Sequence, residues 1–588
     1  MKSDHQPRVL VLDADMVPAL TISRSLSRRG CLIDLASHTS RPLSSFSNTV
    51  SSFIQYPDPL SATDQFVEWL SEHGSRNNYD LVIPVTERTL VPLSRERDRL
   101  QHVKIAMPAA HSLEVALDKS GTLALAEKLG VPGPVGVSLA SLDELVELKK
   151  TLKYPVVIKP ARSLSSGEGV ASQLQVSYAF EATELEAVCA DALRFGPVLL
   201  QEFFPGQGVG IELIARQGKI AYAFQHLRLH EVPLTGGGSS LRKSQAVMPE
   251  LLTASERLIA ALEWNGVAMV EFKLNPLTRE FCLMEINGRF WGSLPLAVAA
   301  GADFPSMLLD LELDREIRPC RPYRNDVYCR LLSRDVYWYE AVLRGGNDTR
   351  LVKIPSGSEV FKELRQFFNP RHHFDVQSIR DPVPGLVDVG RIFISYLQRI
   401  LALAQERRFF SRQQMAWKRG EVSAAVSRAR SMLFLCYGNI NRSALADVMI
   451  SKYAKDSGIS VVSAGFHHEA GRPADPVMVD VARQFGIDMN GIRSTCVTER
   501  MLRESDIIFV MEKSHYDRLV TMDASVADKV YLLGAHQRST ACPVEIEDPY
   551  GRSRESYVAC YKRIADAMDS IKAVITVKNG DQGGDQFS

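Results

Sequence analysis

The sequence predicts a multidomain protein of α/β and α+β class, and three observations lead to that prediction. Its 588 residues exceed the roughly 250 to 300 at which a single hydrophobic core stops growing. Short apolar strands alternate with helix-length stretches near the N-terminus and again after Met432, as is typical of parallel sheets. Between these regions, strand patterns follow one another in pairs, as in α+β folds. We therefore expect roughly three or four compact units.

Strand patterns account for most of this prediction. The leading α/β region has apolar strands predicted at residues 8–14, 31–37, 81–86 and 104–108. The α+β region has strands predicted at residues 155–160, 198–203, 210–215, 219–227, 267–274 and 281–288. A second α/β alternation runs from Met432 to about residue 577 and ends in a polar tail, which we expect to be disordered.

Composition and charge limit the classes of partner. The chain is 45% hydrophobic, and 69 basic residues balance 69 acidic ones, so its net charge favours neither a nucleic-acid partner nor a membrane. The N-terminus lacks the apolar core of a signal peptide, and residues 392–403 are too short and too polar a stretch to span a bilayer. The nine cysteines are scattered and form no CxxC pair, which favours reduced thiols and a cytoplasmic location.

A basic region precedes the second α/β alternation. Between Ala404 and Arg430, seven Lys or Arg residues face two Glu residues in a helical pattern. We predict a solvated linker helix here, with a contact to acidic lipid or RNA as the alternative.

The segment LCYGNINRS, residues 435–443, follows an apolar strand and leads into a predicted helix. An ordinary thiol, with a pKa of about 8.5, is mostly protonated at neutral pH, so attack on phosphorus requires a loop that stabilises a thiolate. Loop amides and the helix N-terminus supply that stabilisation and can also hold a phosphate dianion. Arg442 adds a planar fork for two phosphate oxygens, Gly438 allows a tight backbone, and Ser443 can donate its hydroxyl to the sulfur. The predicted phosphate loop comprises Cys436, Tyr437, Gly438, Asn439, Ile440, Asn441, Arg442 and Ser443.

The phosphate loop and the segments after it resemble the low-molecular-weight protein tyrosine phosphatase family. The resemblance covers residues 431–577 and includes SAG at 463–465, IRS at 492–494, SDIIFVME at 505–512 and EDPYGRS at 547–553. It implies a doubly wound parallel sheet, a phosphocysteine intermediate on Cys436, no cofactor, and a phosphotyrosine protein or small phosphoester as substrate. It also implies that Asp548 is the general acid, that Asn439 braces the loop and that Tyr550 flanks the substrate ring. The structural alternative for Asp548 is a turn cap.

Two positions depart from the family pattern. The second cysteine of the family's loop is Asn441 here, so a protective disulfide with Cys436 cannot form, and the proline that often follows Arg-Ser is Ala444. An arsenate reductase of the same fold needs two further cysteines close together, whereas the remaining ones are widely separated at Cys496, Cys542 and Cys560. Hydrolysis is therefore preferred, and arsenate reduction or small-molecule phosphatase activity remains the alternative.

The N-terminal two-thirds contain a second set of phosphate-compatible residues. Lys159 ends an apolar strand, and the Ser/Gly-rich stretch 161–170 follows it, a combination suited to polyphosphate binding. Further along, MEINGRFWGS places Glu285 and Asn287 two residues apart on one side of a strand, and Glu271 lies on the preceding strand. Magnesium prefers such hard oxygen ligands together with nucleotide phosphates.

These residues resemble the carbamoyl-phosphate-synthase-like branch of the ATP-grasp superfamily. The resemblance covers about residues 8–310, with the Asp-Lys pair at 118–119, GVPGPV at 130–135, the hinge LLQEFF at 199–204 and the E-x-N-x-R pattern at 285–289. It implies a Rossmann-like pre-ATP-grasp domain, an ATP-grasp fold, and ATP with Mg²⁺ as cofactors. In that family a carboxylate is activated as an acylphosphate, which an amine then attacks. By resemblance, the ATP-binding residues are Lys119, Lys159, Gln201, Glu202, Phe203 and Arg289, and the metal ligands are Glu271, Glu285 and Asn287.

One departure concerns the ribose, because the stretch GQGVG at 206–210 stands where many members have a ribose-binding Glu. Surface lysines, a strand-edge ion pair for Glu285 and a disordered tip at 235–240 are the structural alternatives. The carboxylate and amine substrates are not identified, and the candidate substrate contacts are Arg228, Glu231 and Arg242.

The sequence as a whole predicts a bifunctional fusion of a ligase-like module and a phosphatase. The alternative for the first 400 residues is a nucleotide sensor that ligates nothing. We expect neither a nucleic-acid partner nor a transmembrane segment. The predicted domains are a pre-ATP-grasp domain at 1–115, an ATP-grasp domain at 116–312, an extension and basic linker at 313–430, a phosphatase domain at 431–577 and a tail at 578–588.

Overall fold

The computed structural model describes residues 6–149, 151–160, 176–193, 196–317, 322–345, 350–352, 354–536 and 544–582. The predicted Ser/Gly-rich loop at 161–170 lies outside the described residues, as do Cys320 and Cys542. The chain divides into two compact units, Met1–Ile394 and Ser395–Ser588.

The first unit begins with a parallel four-stranded sheet of order β3-β2-β1-β4. Its strands are β1 (Arg8–Val11), β2 (Leu32–Ser37), β3 (Ser52–Gln55) and β4 (Leu81–Ile83). The helices associated with it are α1 (Val17–Arg28), α2 (Thr63–Asn77) and α3 (Glu87–Arg95). This parallel, Rossmann-like arrangement agrees with the predicted fold class.

Two details of this sheet differ from the prediction. The short edge strand β3 was not predicted, because its SFIQ sequence is half-exposed and lacks a continuous apolar run. The predicted strand at 104–108 is only an isolated bridge between Val82 and Ile105, held by hydrogen bonds from Val82 N to Lys104 O and from Ala106 N to Val82 O. Pro108, which has no N–H group, prevents the pairing from continuing.

The rest of the first unit contains two further sheets. The smaller has order β5-β8-β6-β7 and is antiparallel, and the larger has order β13-β12-β9-β10-β11-β14-β15 and is antiparallel except for its last pair. The strands are β5 (Gly136–Leu139), β6 (Val156–Pro160), β7 (Ser177–Ala179), β8 (Val198–Glu202), β9 (Gln207–Arg216), β10 (Lys219–Val232), β11 (Gly238–Gln245), β12 (Gly266–Leu274), β13 (Phe281–Asn287), β14 (Tyr328–Arg330) and β15 (His372–Phe374). The helices are α4 (Ala110–Leu117), α5 (Lys119–Lys128), α6 (Leu145–Leu148), α7 (Ala182–Ala192), α8 (Pro249–Ala261), α9 (Leu294–Ala300), α10 (Phe304–Glu312), α11 (Leu332–Leu343) and α12 (Gly357–Leu364).

A long helix, α13 (Pro382–Lys418), and the short helix α14 (Glu421–Arg428) precede the last sheet. Phe409, Gln413 and Trp417 are four residues apart, so they lie on one face of α13. Phe409 and Trp417 pack against the apolar cluster around Leu433 and Val530, and Gln413 is buried. The prediction of a solvated linker helix is therefore wrong for this face of α13, because the apolar side chains of the face pack against the hydrophobic core of the last sheet.

The second unit is built on a four-stranded parallel sheet of order β17-β16-β18-β19. Its strands are β16 (Ser431–Cys436), β17 (Ser460–Gly465), β18 (Ile507–Val510) and β19 (Val530–Leu532). The following helices complete the unit: α15 (Arg442–Asp456), α16 (Pro476–Gln484), α17 (Glu499–Glu504), α18 (Lys513–Met522) and α19 (Arg554–Gln582). Separate apolar clusters cover the two faces of the sheet, which confirms the predicted doubly wound fold.

The end of the chain differs from the predicted disordered tail at 578–588. Helix α19 continues through Gln582, and residues 583–588 lie outside the described residues. Once a helix has formed, each added residue contributes one hydrogen bond without a new nucleation cost, which accounts for the extension.

Among the described residues, no single helix has the length and apolar character needed to cross a membrane. One bent pair, Leu294–Ala300 with Phe304–Glu312, satisfies the same criteria of length and composition.

Candidate active sites

The phosphate loop lies at the carboxyl edge of the parallel sheet, where Cys436 ends β16 and Arg442 begins α15. Cys436 is buried, and its Sγ lies 3.0 Å from Ser443 Oγ. The backbone N–H of Asn439 donates to the same sulfur over 3.2 Å. The sulfur is therefore surrounded by hydrogen-bond donors of the loop and the first turn of the helix, an environment that favours negative charge.

Asn439 connects the phosphate loop to its surroundings through both polar atoms of its side chain. Its Nδ2 donates to Ser443 Oγ over 2.9 Å, and its Oδ1 accepts the backbone N–H of Thr495 over 2.8 Å. Its φ of 51° lies in the left-handed region, which asparagine tolerates better than most residues.

Gly465, from the SAG segment, packs directly against the loop. A Cβ at this position would lie 2.7 Å from the carbonyl oxygen of Tyr437 and 2.9 Å from the backbone nitrogen of Asn439. Cys436 and Gly465 are register partners in the β16–β17 pair, so the glycine allows the loop to fold over the end of the neighbouring strand.

Arg442 is almost completely buried and makes three contacts within the protein. Its Nη2 donates to Asp548 Oδ2 over 2.6 Å, and its Nη1 donates to the carbonyl of Ile546 over 2.8 Å and to Glu512. Burial lowers the pKa of Arg442, but the nearby Cys436, Asp548 and Glu512 outweigh that effect and raise it. The buried Nε has no hydrogen-bond partner in the described protein, so one donor of the guanidinium fork is left for a ligand oxygen.

Asp548 makes the backbone contact of a turn cap and also lies beside the phosphate loop. Its Oδ1 accepts the backbone N–H of Tyr550 over 3.2 Å, as a turn cap does, while its Oδ2 contacts Arg442. The carboxylate is 36% exposed, so a leaving group can reach it. Tyr550 and Tyr437 are exposed by 66% and 49%, respectively, which leaves their rings accessible to a substrate.

The departure at Asn441 has a structural counterpart. Its Nδ2 lies 3.4 Å from Asp475 Oδ2, which also accepts the hydroxyl of Tyr557 over 2.8 Å. A buried polar contact thus replaces the second cysteine of the family's loop. Arg472 donates to the carbonyl of Gly438 over 2.7 Å and supports the other side of the loop.

Sequence reasoning assigned no role to Glu512 and His515, although both lie near Arg442. The Arg442 contact lowers the pKa of Glu512 despite the opposing effect of burial. Burial, and then the positive charge of Arg442, lower the pKa of His515 to about 4. Both residues follow β18, the neighbour of β16, so the meeting of parallel strand ends at one edge was the signal that could have identified them.

In the first unit, the predicted metal ligands lie side by side. Glu271 on β12 is the register partner of Glu285 on β13, and Asn287 Nδ2 donates to Glu285 Oε1 over 2.9 Å. Burial raises the pKa of Glu271, whereas the hydrogen bond from Asn287 and the charge of Lys119 lower that of Glu285 against the effect of burial.

Two facing carboxylates and an amide oxygen form a hard-oxygen set that fits Mg²⁺. In the described part of the chain, no group of three or more His, Cys, Asp or Glu side chains forms a metal-binding cluster. The set contains only two carboxylates, and Glu271 is also ion-paired with Arg228.

The two predicted ATP-binding lysines lie near these carboxylates. Burial, and then the like charge of Lys119, lower the pKa of Lys159, whereas Glu285 and Glu271 act in the opposite direction. Lys119, Glu285 and Glu271 therefore each lie within electrostatic range of Lys159. Residues 161–175, which follow the strand of Lys159, lie outside the described part of the chain.

The predicted adenine hinge lies at the end of β8. Gln201 is buried with its Oε1 unpartnered in the described protein, and Glu202 ends the strand. The ring centroids of Phe203 and Tyr178 are 6.3 Å apart, and the ammonium of Lys273 lies 5.6 Å from the centroid of the Phe203 ring.

The remaining predicted contacts are arginines that are paired within the protein. Arg289 donates to Glu87 over 3.3 Å, and Arg228 contacts Glu271 and, at 3.4 Å, Glu231. Arg242, a candidate substrate contact, is fully buried and donates to Asp375 over 2.6 Å. A buried pair of this kind is a structural role for Arg242.

Comparison with known proteins agrees with both resemblances. A family model described as low molecular weight phosphotyrosine protein phosphatase matches residues 431–579, and one described as ATP-grasp in the biosynthetic pathway with Ter operon matches residues 194–333. The chain is similar to the low molecular weight protein-tyrosine-phosphatase Wzb of Escherichia coli K12, with 34% identity over 131 residues that cover 22% of this chain and 85% of the relative. The probable phosphatase EpsP of Ralstonia solanacearum is 29% identical over 24% of this chain and 92% of its own length.

Solved structures similar to this chain include two kinds of enzyme. The tyrosine phosphatase AmsI of Erwinia amylovora is 32% identical, covers 24% of this chain and 91% of its own, and has a TM-score of 0.23. The L-amino acid ligase of Bacillus licheniformis is 15% identical, covers 54% of this chain and 78% of its own, and has a TM-score of 0.42. Through residues 431–579 the chain belongs to the low molecular weight protein-tyrosine-phosphatase family, and residues 194–333 match the ATP-grasp family model.

Proposed function

We propose that the C-terminal domain hydrolyses phosphotyrosine through a phosphocysteine intermediate. The thiolate of Cys436 attacks phosphorus, the bond from phosphorus to the phenolic oxygen breaks, and Asp548 gives its proton to that oxygen. Water then attacks the phosphocysteine and gives a proton to Asp548, which releases inorganic phosphate and restores the thiolate. Arg442 and the loop amides carry the phosphoryl charge in both steps.

The observation that supports this proposal best is the pairing of Arg442 with Asp548 beside the loop. The 2.6 Å contact brings the proposed proton donor to the guanidinium that would hold the phosphate. The unpartnered Nε of Arg442 offers one further donor to a phosphate oxygen.

The test compares phosphotyrosine peptide, arsenate and sugar phosphates as substrates of the full-length chain. We expect Cys436→Ser to abolish phosphopeptide hydrolysis, since serine is a far weaker nucleophile without a matching base. Cys496→Ser, at a half-exposed thiol in the same unit, is the matched control and should retain activity. Peptide turnover that survives Cys436→Ser would exclude this nucleophile, and faster turnover of arsenate or sugar phosphates would favour the alternatives.

For the first unit, we propose an Mg²⁺- and ATP-dependent ligase that activates a carboxylate as an acylphosphate for attack by an amine. Lys119 and Lys159 would bind nucleotide phosphates, Gln201, Glu202 and Phe203 would line the adenine site, and Arg289 would contact the transferring phosphate. Glu271, Glu285 and Asn287 would hold magnesium, which when bound neutralises phosphate charge. The register pairing of Glu271 with Glu285, and the electrostatic effect of both and of Lys119 on Lys159, support this assignment.

Release of ADP with pooled carboxylates and amines distinguishes a ligase from a nucleotide sensor. We expect release above the level in buffer, and we expect Lys159→Met to weaken ATP binding by about 10- to 100-fold, the loss of one charge-assisted contact. Lys153→Met, at an exposed lysine of the same segment, is the control. ATP binding without any ADP release would favour the sensor.

We also propose a reducing, cytoplasmic location, since each described cysteine is a free thiol and Cys436 must stay reduced to react. The boundaries of the predicted domains likewise remain proposals.

A further inference from the structure

Helix α13 exposes more large apolar side chains than any other helix or strand in the described part of the chain. Scattered exposed hydrophobic residues are ordinary, whereas a concentration on one element indicates a binding surface. The exposed side chains are Val383, Leu386, Val389, Phe393, Ile394, Leu397, Ile400, Leu401, Leu403 and Met415.

The central members of this set form a continuous apolar surface. Phe393, Leu397, Ile400 and Leu401 are spaced i, i+4, i+7 and i+8, so they lie on one face of the helix. Their side chains are exposed by 68%, 44%, 60% and 52%, respectively. We refer to these four residues as the apolar stripe.

The charges of the same helix are mostly positive, with Asp388 and Glu406 as its acids. From Val389 to Gly420 the chain has seven basic residues and a single acid, Glu406. The basic residues are Arg391, Arg399, Arg407, Arg408, Arg412, Lys418 and Arg419. Four of them, Arg407, Arg408, Arg412 and Arg419, together with the acid Glu421, line a groove of about 490 Å³ that follows the apolar stripe along the helix. Apolar surface is thus continuous with a concentrated positive charge.

We propose that α13 binds the surface of an anionic phospholipid membrane. The apolar stripe would enter the boundary between headgroups and acyl chains, and the flanking arginines would contact lipid phosphates while their alkyl parts remain near the apolar region. The helix would lie on the membrane and not cross it, in keeping with its composition. A second copy of this chain is the weaker choice of partner, because two such helices would bring their like charges together.

Vesicle flotation of the full-length chain tests the proposal. We expect flotation with phosphatidylcholine vesicles that contain about 30% phosphatidylserine, and at least about tenfold weaker binding to pure phosphatidylcholine, because each basic residue near an anionic surface adds attraction. Binding should weaken as salt increases. Equal binding to both kinds of vesicle, or no binding at low salt, would overturn the proposal.

Substitutions separate the stripe from general surface properties. The double variant Phe393→Glu with Ile400→Glu should bind anionic vesicles at least about tenfold more weakly, since it places negative charge on the apolar face. Leu277→Glu, at a leucine that is 92% exposed in a turn elsewhere, is the matched control and should bind within about twofold of the parent chain. Hydrolysis of p-nitrophenyl phosphate reports whether each variant is folded.

The pair Arg407→Gln with Arg408→Gln provides a second test at exposed positions, should the double glutamate variant fail to fold. Weaker binding to anionic vesicles by this pair supports the proposal, and unchanged binding contradicts it. Sedimentation of the parent chain examines the competing partner. A dimer that the glutamate variants dissociate, combined with no vesicle binding, would assign the stripe to an interface between copies and overturn the membrane proposal.

Discussion

Nη2 of Arg442 lies 2.6 Å from Oδ2 of Asp548, so the guanidinium beside the proposed nucleophile Cys436 holds the proposed general acid. The same guanidinium contacts Glu512 and the carbonyl of Ile546 through Nη1. Three acceptors therefore fix its plane before substrate binds, and little side-chain entropy is left to lose when a phosphate arrives.

Replacing Asp548 by Asn should slow hydrolysis according to the leaving group. The amide preserves the shape but cannot protonate a phenolate, so turnover of phosphotyrosine peptide should fall by about 10²- to 10⁴-fold. A phenolate whose ring is strongly electron-withdrawing leaves without protonation. The rate of the first step on its phosphate ester should therefore fall much less. Initial rates on a series of aryl phosphates measure this dependence.

Glu547→Gln is the control for Asp548→Asn, because Glu547 is the adjacent acid and its side chain pairs with the exposed Arg552. It should retain activity on both kinds of substrate. An Asp548→Asn variant that loses the same factor on every leaving group would argue that Asp548 only positions Arg442.

Ser443→Ala should make Cys436 less reactive. The hydroxyl lies 3.0 Å from the sulfur, and losing one hydrogen bond to a charged acceptor costs about 1.5 to 3 kcal/mol. Alkylation of Cys436 by iodoacetate at pH 6.5, followed by mass spectrometry of its peptide, should slow by about tenfold or more. The control is Ser451→Ala, on the same helix, where the serine hydroxyl donates a hydrogen bond to Asp447. Cys436 in this control should be alkylated at the parental rate, and equal rates in both variants would refute the contribution of Ser443.

The parts of this site that could be predicted without the family resemblance, which added the distant Asp548, are those that are close in sequence. Cys436, Asn439, Arg442 and Ser443 belong to a single loop, and their spacing between an apolar strand and a predicted helix indicated a phosphate site. The fit of Gly465 against that loop depends on the register between β16 and β17, which no local pattern specifies. Long-range geometry of this kind appears only once the sheet is assembled.

Strand β11 was not predicted from the sequence, because its buried positions also depend on distant contacts. Strands β9 and β10 have long apolar runs and were predicted, whereas β11, GSSLRKSQ, reads as a polar loop. Its buried side chains include Ser240, Arg242 and Ser244, and Arg242 is neutralised by Asp375 from a distant segment. A strand whose buried positions hold paired polar groups carries no hydrophobic period to detect.

His515 should make the phosphatase domain sensitive to acid. Burial and Arg442 lower its pKa to about 4 in the folded state, against about 6.5 in an unfolded chain. Between pH 6.5 and 4 the unfolded chain therefore binds a proton that the folded domain does not, so stability falls as pH decreases through this window. We expect His515→Gln to reduce this acid-dependent loss by about 1 to 3 kcal/mol.

Thermal inactivation at pH 7 and pH 5, with residual phosphatase activity assayed at one common pH, measures the effect of His515. The relevant quantity is the difference between the two pH values, since His515→Gln also removes packing against Phe466 at either pH. His468→Gln, at an exposed histidine, should leave the difference unchanged. Parallel losses in the parent chain and in His515→Gln would show that other groups set the acid sensitivity.

Gln413 should stabilise the edge of the phosphatase sheet. Its Oε1 accepts the backbone N–H of Leu532 over 2.9 Å, and its Nε2 donates to the carbonyl of Val530 over 3.2 Å. One side chain thus pairs with an N–H and a carbonyl of edge strand β19. Gln413→Ala leaves these buried groups without partners, which should cost about 1 to 3 kcal/mol for each unsatisfied group and speed proteolysis at β19. Gln405→Ala, at an exposed glutamine of the same helix, is the control and should resist proteolysis like the parent chain.

A fragment that begins at residue 431 lacks α13 and should be less stable than one that begins at residue 395, because Phe409 and Trp417 also pack on this core. Equal melting temperatures of the two fragments would show that the domain is complete without the helix.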